Sequence, residues 1–370
     1  MTELFVGLMS GTSLDGVDGV IVDFSDDGIA VLQHASVPFP ARLRSELMAL
    51  NTPAENELHR AALAANALAK IYSDVTWQLL GTAGLAPAAI RAIGVHGQTV
   101  RHQPGEFDGT GYTLQLGNPS LLAELTSIDV VADFRSRDVA AGGQGAPLVP
   151  AFHRAVFGRD GSTTGVLNIG GISNLSILPA NDGAVLGFDC GPGNALMDFW
   201  CQTHTGQPFD AAGAWAASGR ALPALMDHLL AEPYFSRMPP KSTGRDLFNP
   251  VWLSRQLVDF SRETPVDVQA TLTELTARVC ADSFVRHGNE GRSLIVCGGG
   301  ALNEHLMTRL GALLPWATVS SSAANGMPPL EVEAAAFAWL ARRTVRREPG
   351  NMPSATGAHG ERVLGAVYPA

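Results

Sequence analysis

The sequence predicts an α/β protein of two lobes, and three observations carry that prediction. Strand-like and helix-like stretches alternate along 370 residues, a length that suggests two domains, each able to bury its own core. A strand–turn–strand pattern with a glycine-rich polar turn opens the chain and recurs from Gly165. A third glycine turn, at Gly298, again follows a buried-strand pattern.

In the opening hairpin, Leu4 to Phe24, the residues Phe5, Val6, Leu8 and Met9 form one apolar run. Val17, Val20, Ile21, Val22 and Phe24 form a second, and Ser10-Gly11-Thr12-Ser13-Leu14-Asp15-Gly16 lies between them. Apolar and β-branched runs flanking Gly, Ser and Asp are a hairpin signal. This turn is richer than a hairpin needs. It has two glycines for close backbone approach, three hydroxyls, and the Asp15 carboxylate. It reads either as a nest of N–H groups for a Mg²⁺-bound phosphate or as a polar hairpin tip.

Gly28 to Phe39 follows as a third strand, ending at Pro38 and Pro40. Ala54 to Leu80 is a helix, with Leu58, Ala61, Ala62, Ala65, Leu68, Ala69 and Tyr72 at helical spacing. Ile90 to Val95 is a short buried strand that ends in His96-Gly97-Gln98-Thr99. Leu114 to Leu116 and Ile128 to Ala132 are strands, with Leu121 to Thr126 helical between them. From Asp133 to Pro150 the chain is polar and loop-like, and the lobe boundary is placed there. Residues 1–140 then form the N-terminal lobe and 141–370 the C-terminal lobe, with the last helix, from about 330, able to pack back on the first lobe.

The second lobe opens with the strand Gly165 to Ile169, the turn Gly170-Gly171-Ile172-Ser173-Asn174 and the strand Leu175 to Leu178, which implies internal duplication. Val185 to Phe188 is a strand. It leads to Asp189-Cys190-Gly191-Pro192-Gly193-Asn194 and a helix from Ala195 to His204. Val268 to His287 is a long helix and Ser293 to Cys297 a buried strand. Gly298-Gly299-Gly300-Ala301-Leu302-Asn303 then enters a helix from Glu304 to Leu314. Leu330 to Arg347 is the last helix, with Arg342, Arg343, Arg346 and Arg347 near its C-terminus, where cations are favoured.

Composition removes several classes of function. A net charge of −10 argues against nucleic acid or an anionic membrane surface as a partner. The four cysteines show no CxxC pair and no zinc spacing, which reads as reduced thiols in a cytoplasm. No signal peptide and no membrane span are expected. The two lysines, Lys70 and Lys241, follow no G-x-x-x-x-G frame, so a P-loop is excluded. Gly298-Gly299-Gly300 fails the dinucleotide pattern at Asn303, and neither HExxH nor G-x-S-x-G is present. Any bound phosphate must be held by backbone amides, hydroxyls and a metal.

Three glycine turns, each after a buried strand, match the phosphate-1, phosphate-2 and adenosine elements of the actin, sugar-kinase and heat-shock chaperone superfamily. The resemblance becomes closer at Gly11-Thr12-Ser13-Leu14-Asp15-Gly16-Val17-Asp18, which is similar to the signature of the anhydro-N-acetylmuramic acid kinases. His96-Gly97-Gln98-Thr99-Val100, Asp133-Phe134-Arg135, the block Gly142 to Pro150, Asn168 to Asn174, Lys241 to Arg245 and Cys297 to Gly300 agree with it, so the resemblance runs from Phe5 to about Pro369. It implies a two-lobed, duplicated actin-like/sugar-kinase ATPase fold with a central nucleotide cleft. It also implies a reaction in which water opens the 1,6-anhydro bond while ATP phosphorylates O6. The product would be N-acetylmuramic acid 6-phosphate, in the recycling of peptidoglycan. An ordinary sugar kinase of the same fold, or a nucleotide-dependent sensor without turnover, are the alternatives.

The resemblance assigns the catalytic base to Asp189. Such a residue, at a strand end before a Gly-Pro-Gly turn, is expected to be an ionised, weak base with an ordinary carboxylate pKa of ~3.9. Its other reading is a cap for the following helix, a role Asn194 fits better by position. ATP falls to Gly11, Thr12, Ser13, Leu14, Asp15, Gly16, Val17 and Asp18, to Asn168, Gly170 and Gly171, and to Gly298, Gly299, Gly300 and Asn303. Asp15 is the Mg²⁺ partner, directly or through water, or else stabilises its turn. His96 and Gln98 hold sugar hydroxyls or form a buried pair. Asp133 is a further substrate candidate. Arg137 meets the lactyl carboxylate or is a surface residue, and Glu333 contacts substrate or complements its helix dipole. Cys190 stands where this family commonly has Thr, and Asn118 where an Asp is common. The expected partners are the amino sugar and ATP, without nucleic acid or membrane, and a homodimer is a candidate assembly.

Overall fold

The computed structural model describes residues 2–370 apart from 12, 13, 26, 27, 160, 182, 240, 245, 246 and 289. The strands in chain order are β1 (Leu4–Met9), β2 (Gly16–Asp23), β3 (Ala30–Pro38), β4 (Ile90–Val95), β5 (Gln98–Pro104), β6 (Gly111–Leu116) and β7 (Val130–Ala132). There follow β8 (Thr164–Ile169), β9 (Ile172–Leu178), β10 (Leu186–Pro192), β11 (Ser293–Cys297), β12 (Thr318–Ser321) and β13 (Ala366–Tyr368). Two units partition the chain: residues 1–152 with 331–370, and residues 153–330.

The first unit holds a sheet in the order β13-β7-β4-β1-β2-β3, and the second a sheet in the order β10-β9-β8-β11-β12. In the first, β1, β2 and β3 are antiparallel neighbours while β4 and β7 run parallel to β1. In the second, β8, β9 and β10 are antiparallel while β11 and β12 run parallel to β8. Three antiparallel strands followed by two parallel ones in each unit is the duplication that the recurring hairpin implied. The expected α/β fold class is borne out.

One face of the first sheet buries Val6, Leu8, Val17 and Ile21 against Leu68, Tyr72, Val75 and Leu79 of the helix Glu57–Ala83. The other face receives the helix Val332–Val345, which lies almost on the strand backbone. Gly7 and Gly94 are partners across the β1–β4 ladder. A Cβ on Gly7 would come within 2.8 Å of Ala338 N, and one on Gly94 within 2.9 Å of the Ala341 Cβ, with helix carbonyls closer still. The helix meets this glycine pair with alanines: Ala334, Ala338 and Ala341 are all fully buried. In the second unit, Leu167, Ile169, Leu175, Ile177, Leu294 and Val296 bury one sheet face against the helix Pro265–His287.

Most expected elements stand within a few residues of their positions, and four differences have physical causes. The helix expected from Ala54 begins at Glu57, after Asn56 in left-handed backbone. The segment from Asp133 to Pro150, expected as loop, contains the helical turn Ser136–Val139, tied down by the buried Asp138 carboxylate. Gln98 to Leu116 forms a two-stranded arm, β5 with β6. The strand expected to end at Phe188 continues through Asp189 to Pro192, because β9 offers it a pairing edge up to Ile172. Among the described residues, no helix is long and apolar enough to cross a membrane, and the four cysteines are buried and outside any disulfide.

The glycine pair gives the first prediction. Gly94→Ala should destabilise by about 2–3 kcal/mol, because neither the helix carbonyl nor the strand can retreat in a packed layer. Gly81→Ala, in a helix position with open space around it, should stabilise by about 0.5–1 kcal/mol through lower backbone entropy. Chemical denaturation of both variants measures the contrast. Equal effects would contradict the close approach.

Candidate functional site

The carboxyl ends of β1 and β4 meet at a tight group of polar side chains. Ser10 is almost wholly buried. Its hydroxyl shares a 2.7 Å hydrogen bond with the Tyr72 hydroxyl and donates to the Gly97 carbonyl at 3.1 Å. Its own carbonyl lies 3.1 Å from His96 Nδ1. On the other side of the ring, Arg135 approaches His96 Nε2 through Nη2 at 2.9 Å and Nε at 3.2 Å. A guanidinium can only donate, so Nε2 is the acceptor and Nδ1 carries the proton that goes to Ser10. Burial, followed by the Arg135 charge, pushes the His96 pKa down to about 3, so the ring is neutral. Both ring nitrogens are used within the protein, which favours the buried-pair reading of His96 over a sugar contact.

Gln98 is fully buried and its Nε2 donates to the Gly11 carbonyl at 3.1 Å. The Leu14 N–H reaches the same carbonyl at 3.2 Å. Ser10 and Gly11 therefore have their carbonyls turned inward and held. Leu14 itself is buried in left-handed backbone, at φ 58°. Thr12 and Ser13, expected ligands, lie outside the described residues. Asp15 is exposed and pairs with Arg44 at 3.6 Å. Asp18 pairs with His34 at 3.5 Å, and this contact, opposed by burial, raises the His34 pKa. Val17 is buried in the core and offers no side chain to a ligand.

Beside this group lies a cavity of about 280 Å³ within the first unit. Tyr72, His96, Gln115, Asn118, Asp133 and Ser136 are among its walls. Asp133 is exposed, at a left-handed φ of 60°. Asn118 caps the helix Pro119–Thr126 through Leu121 N–H at 3.0 Å and donates to Asn66 Oδ1 at 2.8 Å. Glu333, in the first turn of the helix Val332–Val345, is close enough for its charge to act on Arg135. Arg137 is exposed and does not line the cavity.

In the second unit, Asp189 faces Asn174 across the β10–β9 ladder, next to a register shift that ends at Gly191. Two segments hold it, one at Tyr234 and one at 241–243. Its N–H donates to the Lys241 carbonyl at 3.2 Å, its carbonyl accepts from the Tyr234 hydroxyl at 2.8 Å, and its Oδ2 accepts from the Thr243 N–H at 2.9 Å. Burial pushes the carboxyl pKa up to about 6, against the opposing pull of the Thr243 N–H and the Lys241 charge. Asp189 is therefore a stronger base than an ordinary carboxylate, which corrects the expectation of a pKa near ~3.9. It also lies inside a strand, which corrects its expected place at a strand end. Cys190 is buried beside Cys280 and Ser283, and burial drives its thiol pKa well up. Asn194 does not cap the helix after it; its Nδ2 donates to the Ile169 carbonyl at 3.1 Å.

The glycines of the remaining turns divide into two groups. Gly16, Gly298 and Gly300 are needed by the protein's own packing. A Cβ would lie 2.3 Å from the Val37 carbonyl oxygen, 2.4 Å from Asn168 Oδ1 and 2.4 Å from Ile169 Cγ2 respectively. Gly170 and Gly299 have no such neighbour, the nearest atoms being 3.7 Å and 3.3 Å away. The Gly170 and Gly171 carbonyls accept from the N–H groups of Asn194, Gly193 and Ala195 at 2.8–3.2 Å. Asn168 is buried at the end of β8 opposite Cys297, and Asn303 caps the helix Glu304–Leu313 through Leu306 N–H at 2.9 Å. Among the described residues no three His, Cys, Asp or Glu side chains converge as a metal cage.

Sequence reasoning missed Arg135, Tyr72, Tyr234, Lys241 and Thr243. Arg135, Lys241 and Thr243 were visible as members of recognised blocks, but their roles depend on partners distant in sequence. Tyr72 and Tyr234 had no signal beyond apolar spacing.

Comparison with known proteins places this geometry in a family. The family model for anhydro-N-acetylmuramic acid kinase matches residues 3–370. A protein of Variovorax paradoxus bearing that name is 68% identical, over 100% of this chain and 99% of its own length. One from Albidiferax ferrireducens, of the same name, is 62% identical over 100% of both chains. The crystal structure of the (R)-2-hydroxyglutaryl-CoA dehydratase component A of Acidaminococcus fermentans shares the fold, with a TM-score of 0.50 at 12% identity, covering 91% of this chain and 96% of that one. The chain belongs to the anhydro-N-acetylmuramic acid kinase family.

Proposed function

We propose that this protein is an ATP-dependent kinase that opens 1,6-anhydro-N-acetylmuramic acid with water and phosphorylates O6, giving N-acetylmuramic acid 6-phosphate for peptidoglycan recycling in the cytoplasm. Family membership supports the substrate and the phosphoryl transfer. The observation that carries the hydrolytic half is Asp189, a carboxyl whose pKa of about 6 suits a base working near neutral pH.

In this reading Asp189 takes a proton from water as that water attacks C1. The freed O6 then attacks the terminal phosphorus of ATP, the bond to the bridging oxygen breaks, and ADP leaves. The amino sugar sits in the first unit's cavity, in contact with Asp133 and reached by Glu333. His96 and Gln98 act on it indirectly, by fixing Ser10 and Gly11, and Arg137, exposed outside the cavity walls, meets the lactyl carboxylate where that group projects from the cavity. The Gly11–Gly16 turn and the Gly170–Asn174 turn are each assigned to phosphate, and in the second the Gly170 and Gly171 carbonyls are already engaged by N–H groups of Gly193, Asn194 and Ala195. Gly298, Gly299, Gly300 and Asn303 shape the adenosine side. The exposed Asp15 is a single carboxylate, which suits a Mg²⁺ held mainly by phosphate oxygens and water. When bound, the ion neutralises charge on the phosphates during transfer.

With oxygen-18 water, prompt analysis of the product should find label on C1 and none in the transferred phosphate or in free phosphate. Absence of label from C1 would make the enzyme an ordinary kinase, and label in free phosphate would make it an ATPase. The sugar's kcat/KM should fall about tenfold per pH unit below pH 6, as Asp189 takes up a proton and ceases to be a base. Asp189→Asn should lose ~10²-fold or more in kcat and keep ATP affinity. That variant should also unfold at a higher temperature at pH 7, because a carboxyl with a raised pKa costs stability once ionised. Gly170→Ala should keep stability within about 0.5 kcal/mol and weaken nucleotide binding about tenfold, whereas Gly300→Ala should lose about 1–3 kcal/mol of stability. Calorimetry showing unchanged nucleotide affinity in Gly170→Ala would remove that turn from the phosphate site.

A further inference from the structure

Of the two lysines in the chain, one stands beside the candidate base. The segment 241–243 runs alongside β10, with the Lys241 carbonyl accepting from the Asp189 N–H at 3.2 Å and the Thr243 N–H donating to Asp189 Oδ2 at 2.9 Å. The Lys241 ammonium lies 4.7 Å from the centre of the Tyr234 ring and 5.9 Å from that of Phe188, the residue before Asp189. It donates to the Tyr234 carbonyl at 3.5 Å, while the Tyr234 hydroxyl donates to the Asp189 carbonyl at 2.8 Å. Asp189, Lys241 and Tyr234 are thus joined in a closed ring of backbone and side-chain contacts. Among the described residues Lys241 has no carboxylate within salt-bridge distance. Its charge is held by aromatic faces and one carbonyl, near the carboxylate but not neutralised by contact with it.

We propose that Lys241 is a positioning residue whose caged charge keeps Asp189 ionised and ready to accept the proton of the attacking water. The inference rests on the reading of Asp189 as the base. Burial favours the protonated form of that carboxyl, which cannot accept a proton. The Thr243 N–H and the Lys241 cation oppose burial, and the result is a base poised near its working pH.

The other groups around the pair do not replace this cation. Cys190 on the same strand and Cys280 on the helix Pro265–His287 are buried thiols, and Tyr234 is a neutral phenol with its pKa pushed up by burial. Arg237, Arg286 and His287 stand nearer Lys241. With burial as the larger cause, Arg286 and Arg237 lower its pKa. Arg237 lies over the Tyr234 ring at 5.8 Å, Arg286 donates to the Phe235 carbonyl at 3.5 Å, and His287 packs edge-on to Phe188 at 5.0 Å. An ammonium crowded by cations and resting on aromatic faces has a ready counter-ion in the Asp189 carboxylate. Each ion thereby favours the charged form of the other.

The test is the pH dependence of kcat/KM for the sugar in the wild type, Lys241→Met, Lys241→Arg and Asp189→Asn. Removing the cation should move the acid limb of the Lys241→Met profile to higher pH by about half a unit to one unit. The deficit should therefore be largest at low pH and shrink on the alkaline side. Lys241→Arg keeps the charge and should keep the wild-type limb even if its maximum is lower. Loss by the same factor at every pH in Lys241→Met, with an unmoved limb, would show a purely structural lysine and overturn the proposal. A displaced limb in Lys241→Arg as large as that in Lys241→Met would overturn it too. If Asp189→Asn retains most of its activity, the base assignment itself fails. That outcome is distinct, because it is read from a variant that leaves Lys241 in place.

Discussion

The first unit depends on two glycines that face each other across the β1–β4 ladder. Gly7 and Gly94 have no side chains, and the alanine face of the helix Val332–Val345 occupies the space that side chains would need. Sequence distance makes this contact costly to form, since more than two hundred residues separate Gly94 from the helix. It repays that cost with a layer packed at backbone distance, which has no freedom to slide. The consequence reaches the site. The His96 N–H donates to the Leu8 carbonyl at 3.0 Å, and the His96 ring packs on Phe337 of the same helix at 4.8 Å. With strands and helix fixed, His96 is held in place, and through it the Ser10 carbonyl.

The two units handle polar groups differently. In the first, neutral and cationic side chains hold backbone carbonyls: His96 on Ser10, Gln98 on Gly11 and Arg135 on Gly145 at 2.7 Å. These contacts set geometry, and a neutral His96 is suited to that task because it does not titrate near neutral pH. In the second, backbone groups hold a carboxylate that burial makes reluctant to ionise. A group kept in that state is destabilising for the fold at neutral pH and useful for proton transfer, the combination expected of a site selected for chemistry.

Much of this was legible in the sequence because it is written in local patterns. The strand Ile90–Val95 and the strands that flank the three glycine turns follow from runs of apolar residues bounded by Gly, Ser and Asp, and these strands stand in the structure. What escaped was set by contacts between distant segments. Gly16 looked like a ligand-facing glycine, yet the Val37 carbonyl of the neighbouring strand explains it. Asn194 looked like a helix cap, yet the Ile169 carbonyl captures its amide. His96 read equally as a sugar contact or as part of a buried pair, and Arg135, 39 residues on, takes its second nitrogen. Asp189 was found by resemblance, but its basicity comes from burial, tempered by Lys241 and Thr243, none of which its own neighbourhood in the sequence reveals.

The central claim is that the fold, and not the residue type, makes Asp189 a base suited to neutral pH. A direct reading is the carbon-13 NMR titration of the side-chain carboxyl in protein labelled at aspartate, with the Asp189 resonance assigned by its loss in Asp189→Asn. The account predicts a midpoint near 6. A midpoint at or below the ordinary aspartate value of about 4 would contradict it.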